Sequence, residues 1–489
     1  MKSPRSFSLG HDVVSVGLLA LLLIFTSVVL VSQSIRSKVL RFENVYVMKA
    51  FNSMSLVNGK TVNNSYDENV VQDIRKLTLS NTTLGPSRML DHTGGANGPS
   101  EIVGSLVATS PSLDYDIAEP VSLLSNEPVS TDCDLYHGKW VYDSSGPLYS
   151  NNSCPVLTQS HNCQRNGRPD KEYENWRWKP AHCDVPRFNA RKFLELMRGK
   201  TIAFIGDSLA RNQMESLLCI LWQVEVPNNR GYKRMHRYIF RSTSTTIIRI
   251  WSSRLVHKTS APFDHVLQGL DKIHLGVPDK NFIDLIPNFD VIVISSGHWF
   301  TKRSAYILNN EIVGGQLWWP YKSRINKINN IEAYGISVKT ILTSLATHPN
   351  YTGLTILRSY SPDHYESGDW DTGGSCTGKV KPAVKVVEKG FTNKMYEKQV
   401  TGFNHAMEKK TNKSKLRLMD ITQAFGYRSD GHPGPYTRLD PNKITKRGVD
   451  GRPPPQDCLH WCMPGPIDTW NELMFEVIRR EFEGPKGLS

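Results

Sequence analysis

The sequence predicts an α/β domain: a mainly parallel sheet flanked by helices on both faces. Two observations carry this. Short, continuously apolar runs recur at Thr201–Ile205, Ile247–Trp251, Val291–Ile294, Leu354–Leu357 and Leu416–Met419, the pattern of strands buried on both faces. Stretches of helical period lie between and after them, and such alternation is how parallel strands are connected.

The elements follow in order. After the first run, Ala210, Met214, Leu217, Leu218 and Leu221 fall on one helical face. Ile325, Ile328 and Ile331 through Ile341, Leu342 and Leu345 form a second helical pattern, and Met395 to Met407 a third. A last helix carries Trp470, Leu473, Met474, Val477 and Ile478 on one face, with Thr469 and Glu472 spaced as a capping box. Sites in such sheets lie beyond the carboxyl ends of the strands. That singles out Ser208, Ser295 to Trp299, Arg358 to His364, and Asp420.

Upstream, the uncharged apolar stretch between Val13 and Val31 is long enough to cross a bilayer, so residues 1–34 are expected to be a cytoplasmic tail and uncleaved signal anchor. Residues 35–131 are rich in Ser, Asn, Gly and Thr and read as a flexible lumenal stem. Residues 132–186 hold Cys133, Cys154, Cys163 and Cys183 among Trp140, Trp176 and Trp178, a small disulfide-stapled module. Its tryptophans are expected in the core, with sugar stacking by Trp176 and Trp178 as the alternative. Residues 187–489 form the main domain. All eight cysteines lie beyond the anchor, as do sequons at Asn63, Asn81, Asn151, Asn350 and Asn412, which places the bulk of the chain in the secretory lumen. Formal net charge is +13, so acidic partners are favoured over basic ones, with a merely solvated basic surface the plainer account.

Gly206-Asp207-Ser208 sits between the first strand and the first helix. A serine lifted onto such a corner stands beside free backbone N–H groups that can hold an oxyanion, so Ser208 is a candidate nucleophile. Asp457 and His460, three residues apart in a tight turn, can be neighbours, with the carboxylate fixing the imidazole's tautomer. Cys458 and Cys462 around them lack the second half of a zinc site and are expected in disulfides.

Several longer motifs then match a known family. Gly206-Asp207-Ser208 with Arg211-Asn212-Gln213, Asp430-Gly431-His432-Pro433, Asp457-Cys458-Leu459-His460-Trp461-Cys462 and Asp468-Thr469-Trp470-Asn471-Glu472 resemble the plant trichome birefringence-like family. The resemblance runs from Asp132 to Phe482. It implies a GDSL/SGNH-esterase-like fold and a Golgi polysaccharide O-acetyltransferase of single-pass type II topology. It also implies Ser208 as nucleophile, His460 as base and Asp457 as its orienting partner. Where the family usually begins a segment with Asn-Thr-Gly-His-Trp, this chain has Ser295-Ser296-Gly297-His298-Trp299, so that amide is missing and the backbone N–H of Ser208 is the oxyanion candidate.

The resemblance implies a cell-wall polysaccharide acceptor; xylan, xyloglucan, mannan and pectin are all used within the family, and a hemicellulose such as xyloglucan or xylan is the expectation for this chain. An acetyl donor, acetyl-CoA or another, is consumed as co-substrate. No tightly bound cofactor, metal or nucleic acid is expected. The alternatives are a carbohydrate acetyl esterase with the same triad and a non-catalytic pectin-binding protein.

Overall fold

The computed structural model describes residues 133–232, 235–266, 268–316, 327–411, 413–440 and 455–484. The expected anchor and stem lie outside them, and no described helix is long and apolar enough to cross a membrane.

The described chain opens on a hairpin, Gly138–Tyr142 (β1) with Trp176–Pro180 (β2). The first long segment then runs through helix Ala190–Leu196 (α1), strand Thr201–Gly206 (β3), helix Ser208–Trp222 (α2), and strands Asn228–Tyr232 (β4), Met235–Phe240 (β5) and Thr245–Trp251 (β6). Strands Val256–Thr259 (β7) and Asp271–Pro278 (β8) follow, then Val291–Ser295 (β9), Ser304–Leu308 (β10) and Glu311–Gln316 (β11). Helix Asn330–Ala346 (α3), strand Leu354–Arg358 (β12), helix Gly390–Lys409 (α4), strand Lys415–Met419 (β13) and helix Asp468–Glu483 (α5) complete the set used below.

The main sheet has the order β13-β12-β9-β3-β6-β5-β4. Its first five strands run parallel, and they are the five apolar runs of the sequence. One face, with Ile202, Phe204, Val293 and Ile356, packs against α1, α2 and α5. The other, with Ala203, Ile205, Ile292, Ile294 and Leu357, packs against α3 and α4. Burial of both faces is what writes these strands as unbroken hydrophobic runs.

The sheet departs from the parallel expectation at one edge, where β5 and β4 join antiparallel. A separate four-stranded mixed sheet, β11-β10-β8-β7, was not anticipated. Strands β7, β8 and β11 and those at the main-sheet edge carry charged residues among the apolar ones, so they lack the continuous signal, and β10, Ser-Ala-Tyr-Ile-Leu, is a short run without a periodic neighbour. Ile328 is not helical: it bridges Gly314, and α3 starts only at Asn330, after a capping box made by Asn329 and Glu332. Ile325 lies outside the described residues.

The final helix is also entered differently. No side chain caps it, and it begins at Asp468 instead of after Thr469. Glu472 turns away to accept from the Phe188 N–H at 3.3 Å. The Asp468 carboxylate accepts from the Gly465 N–H, Tyr149 and Ser216.

Trp178 is 5% exposed, donates from Nε1 to the Leu135 carbonyl at 2.8 Å and meets Trp140 edge to face. It is core, so the sugar-stacking alternative fails for Trp178. The cysteines pair as 133–183, 154–219, 163–462 and 376–458. Two of these bonds, 154–219 and 163–462, fasten the N-terminal segment onto α2 and onto the loop before α5.

Candidate active site

The corner after β3 is built to be tight. Gly206 pairs in register with Ser295 on one side and Trp251 on the other. A Cβ at Gly206 would stand 1.9 Å from the Ser295 carbonyl oxygen, so only glycine lets the strands approach here. Asp207 follows as N-cap, its Oδ1 accepting from the Leu209 N–H at 3.0 Å. Ser208 is then the first residue of α2 and is half-buried.

The loop with Asp457 and His460 arrives at this same helix. Asp457 Oδ2 lies 2.8 Å from His460 Nδ1, while its Oδ1 accepts from the backbone N–H groups of Leu459 and His460. The carboxylate thus fixes both the turn and the ring. With Nδ1 engaged, Nε2 is left to exchange a proton, and it has no hydrogen-bond partner among the described residues. Burial pushes the His460 pKa down, but the Asp457 carboxylate outweighs it and the net shift is upward. Burial pushes Asp457 up, and the imidazole beside it more than reverses that, leaving it well below the usual carboxylate range.

Asn212, one helical turn beyond Ser208, clamps the loop to α2. Its Oδ1 accepts from the Trp461 N–H at 2.8 Å, and its Nδ2 donates to the Trp461 carbonyl at 3.3 Å. Positions i and i+4 share a helix face, so the residue following His460 is held on the side of α2 that carries Ser208. The charges of Arg211 and Asp207 both act on the His460 ring. Ser208 and His460 are not directly hydrogen-bonded to each other in this structure.

The loop is pinned from several sides. The backbones of Gly434 and Asp457 exchange two hydrogen bonds, Cys458 is bonded to Cys376, and His432 Nδ1 donates to the His460 carbonyl at 2.7 Å. His364 Nδ1 lies 2.7 Å from His432 Nε2. Beneath Trp461, the Ser361 hydroxyl accepts from its indole N–H.

One residue of this site was not anticipated. His161, from the N-terminal segment, stacks on His460 with ring centroids 5.0 Å apart and planes 24° from parallel. Its Nδ1 is 3.3 Å from Asn212 Nδ2 and 3.6 Å from Glu215 Oε2. Its carbonyl accepts from the Met463 N–H, and Cys163 beside it is bonded to Cys462. The disulfide is the covalent tie that brings it here, and cysteine spacing alone leaves that pairing open. Asn212 was legible in principle, since it follows Ser208 at i+4.

Of the other candidates, His298 stacks on Tyr360 at 4.3 Å and lies 3.0 Å from the Ser361 carbonyl oxygen. Ser295 is buried, and its hydroxyl has no hydrogen-bond partner among the described residues. Asp420 is drawn elsewhere, accepting from Tyr396 of α4. Cys458 and Cys462 are both in disulfides, as expected, and no cluster of metal-ligating side chains occurs among the described residues.

Residues 185–477 match the family described as the GDSL/SGNH-like acyl-esterase family found in Pmr5 and Cas1p, and residues 131–184 match the PMR5 N-terminal domain. The chain is 66% identical over 365 residues to the protein YLS7 of Arabidopsis thaliana, covering 74% of this chain and 73% of that one. It is 60% identical over 409 residues to trichome birefringence-like 18 of the same plant, covering 83% and 76%. Xyloglucan O-acetyltransferase 1 of Arabidopsis thaliana is 36% identical over 378 residues, covering 76% and 86%.

Proposed function

The chain belongs to the GDSL/SGNH-like acyl-esterase family found in Pmr5 and Cas1p, and from that premise we propose that it is a polysaccharide O-acetyltransferase working through Ser208, His460 and Asp457. The observation that carries the reading is the Asp457–His460 pair, clamped by Asn212 to the helix that Ser208 begins. The likeness to a xyloglucan O-acetyltransferase supports transfer to a glycan hydroxyl over hydrolysis.

In this reading His460 Nε2 takes the Ser208 proton as Oγ attacks the acetyl carbonyl of the donor. The tetrahedral oxyanion is held by backbone N–H groups at the start of α2, including that of Ser208. The intermediate collapses to acetyl-serine, and the donor's leaving group departs with the proton from His460. A sugar hydroxyl then gives its proton to the same Nε2, attacks the acetyl-serine carbonyl and leaves as the ester, returning the proton to Ser208. Asp457 holds the ring and stabilises the imidazolium in both halves. No tightly bound cofactor takes part; the acetyl donor is consumed. The acceptor is a cell-wall hemicellulose such as xyloglucan or xylan, met in the Golgi lumen by a chain anchored between Val13 and Val31.

The test is acetyl transfer to deacetylated hemicellulose oligosaccharides, followed by mass spectrometry. Ser208→Ala and His460→Ala proteins should transfer nothing measurable. Undiminished transfer by Ser208→Ala protein removes the assignment.

A further inference from the structure

Beside the corner that carries Ser208, the main sheet and α2 separate to leave a cavity of about 640 Å³, within the range typical of small-molecule sites, about 300–1,000 Å³. One wall is α2, presenting Arg211, Met214 and Glu215 at i, i+3 and i+4 of one face. The opposite wall is the sheet, with Arg249 and Trp251 from β6 and His236 from β5. His236 and Arg249 are directly paired across the two strands, and Trp251 is paired with Gly206, two residues before Ser208. The cavity therefore continues the same edge of the sheet on which the nucleophile candidate stands. Arg211 connects the two, lining the cavity while its charge acts on His460.

The lining is unbalanced in charge. Among the described lining residues two guanidinium groups face one carboxylate, and burial pushes the His236 pKa down. Glu215 is already shared: Oε1 accepts from Thr158 at 2.7 Å and lies 3.7 Å from Arg211 Nε, and Oε2 lies 3.6 Å from His161. The two guanidinium groups also feel each other. After burial, the charge of Arg211 is what depresses the Arg249 pKa most, and Glu215 opposes it. An anion between them would relieve that repulsion.

We propose that this cavity is an anion subsite of the active site, in which Arg211 and Arg249 hold an anionic oxygen group of a substrate while Trp251 and Met214 take its apolar face. The proposal rests on the reading of Ser208 as nucleophile only for the name substrate; the cavity's ligand chemistry follows from its own lining. Two sources supply such a group: the carboxylate of an acidic sugar in the acceptor, or a phosphate of the acetyl donor.

Titration calorimetry of the full-length chain at low ionic strength separates them, with trigalacturonate, coenzyme A and neutral xylotriose as probes. At least one anionic probe should bind, with affinity falling as salt is added. Arg249→Gln should weaken that binding about tenfold or more, the scale of a lost charge-assisted contact, and leave xylotriose unchanged. Arg211→Gln, at a partly exposed position, should do the same and guards against a folding defect in the first variant. Binding of trigalacturonate alone assigns the acceptor, binding of coenzyme A alone assigns the donor, and binding of both supports a site for the shared group. If neither anion binds, or if both variants bind as the parent does, the subsite is overturned. Ser208→Ala protein should bind the anion unchanged while transferring no acetyl. Failure of the anion arm thus counts against the cavity, and failure of the serine arm against the nucleophile.

Discussion

His161 stacks on His460 at 5.0 Å, although 299 residues separate their chain positions. The contact is one of four ties between two short segments, with the Cys163–Cys462 disulfide, the hydrogen bond from the Met463 N–H to the His161 carbonyl, and Asn212 touching both sides. A ring packed flat on His460 restricts its rotation, and preorganised geometry is what the proposed general base needs. His161→Ala should therefore lower kcat by about tenfold, equivalent to about 1.4 kcal/mol of barrier, and leave KM for the glycan nearly unchanged. His161→Phe, which keeps a flat ring, should recover much of that loss. Steady-state kinetics of the two variants decide the point. An equal fall in both would show that Asn212 and Glu215 need the imidazole nitrogen, not the stack.

The Asp457 carboxylate raises the His460 pKa against the downward push of burial. In the proposed mechanism His460 works only when neutral, so kcat/KM should rise with pH through a value above that of an unperturbed histidine. Asp457→Asn removes the main upward influence while burial persists. The acid limb of the profile should then move to lower pH, and the plateau should fall by orders of magnitude because the ring loses its orienting partner. A limb that stays in place would mean that another group sets it.

Much of this was legible from the residues, and what was not has identifiable causes. The five central strands announce themselves because both faces are buried, and the Ser208 corner because a strand and an amphipathic helix flank it. Asp457 and His460 are three residues apart, so their pairing is local. His161 and its disulfide are non-local, and spacing alone cannot choose among many pairings. Strand β4 reads Asn-Asn-Arg-Gly-Tyr, which has no apolar face to betray an edge strand. Thr469 and Glu472 have capping-box spacing, but Asp468 is drawn into hydrogen bonds with Tyr149 and Ser216, and the helix starts two residues early.

Cys163–Cys462 ties the His161 segment directly to the loop that carries His460, whereas Cys133–Cys183 closes a loop within the N-terminal segment. Cys163→Ala with Cys462→Ala should cost about 2–5 kcal/mol of stability, the usual range for a native disulfide, and should lower activity even where the protein remains folded. Cys133→Ala with Cys183→Ala should lower stability with far less effect on kcat. Melting temperature and transfer rate, measured for both double variants below their melting points, separate the two roles.

Glu472 and Asp468 on α5 and Glu174 of the N-terminal segment line one small pocket. Burial pushes Glu472 and Glu174 up to about 7 and Asp468 up to about 6. The sign of the consequence follows from linkage. A carboxyl whose pKa is higher folded than unfolded keeps its proton in the native state after the unfolded chain has released it. Stability is then fully present below the unfolded value and is lost as pH rises toward the folded one. Raising the pH from 5 to 7.5 should therefore lower the melting temperature, by roughly several degrees for a domain of this size. The His460–Asp457 pair contributes in the same direction through its raised imidazole, while the depressed Asp457 matters only below about pH 4. Glu472→Gln isolates the carboxyl contribution, because a neutral amide fits the site at every pH and can still accept from the Phe188 N–H. The variant should match the parent at pH 5 and exceed it at pH 7.5 in scanning calorimetry. An unaltered pH slope in Glu472→Gln protein would place the ionisation elsewhere and leave this carboxyl charged in the folded state.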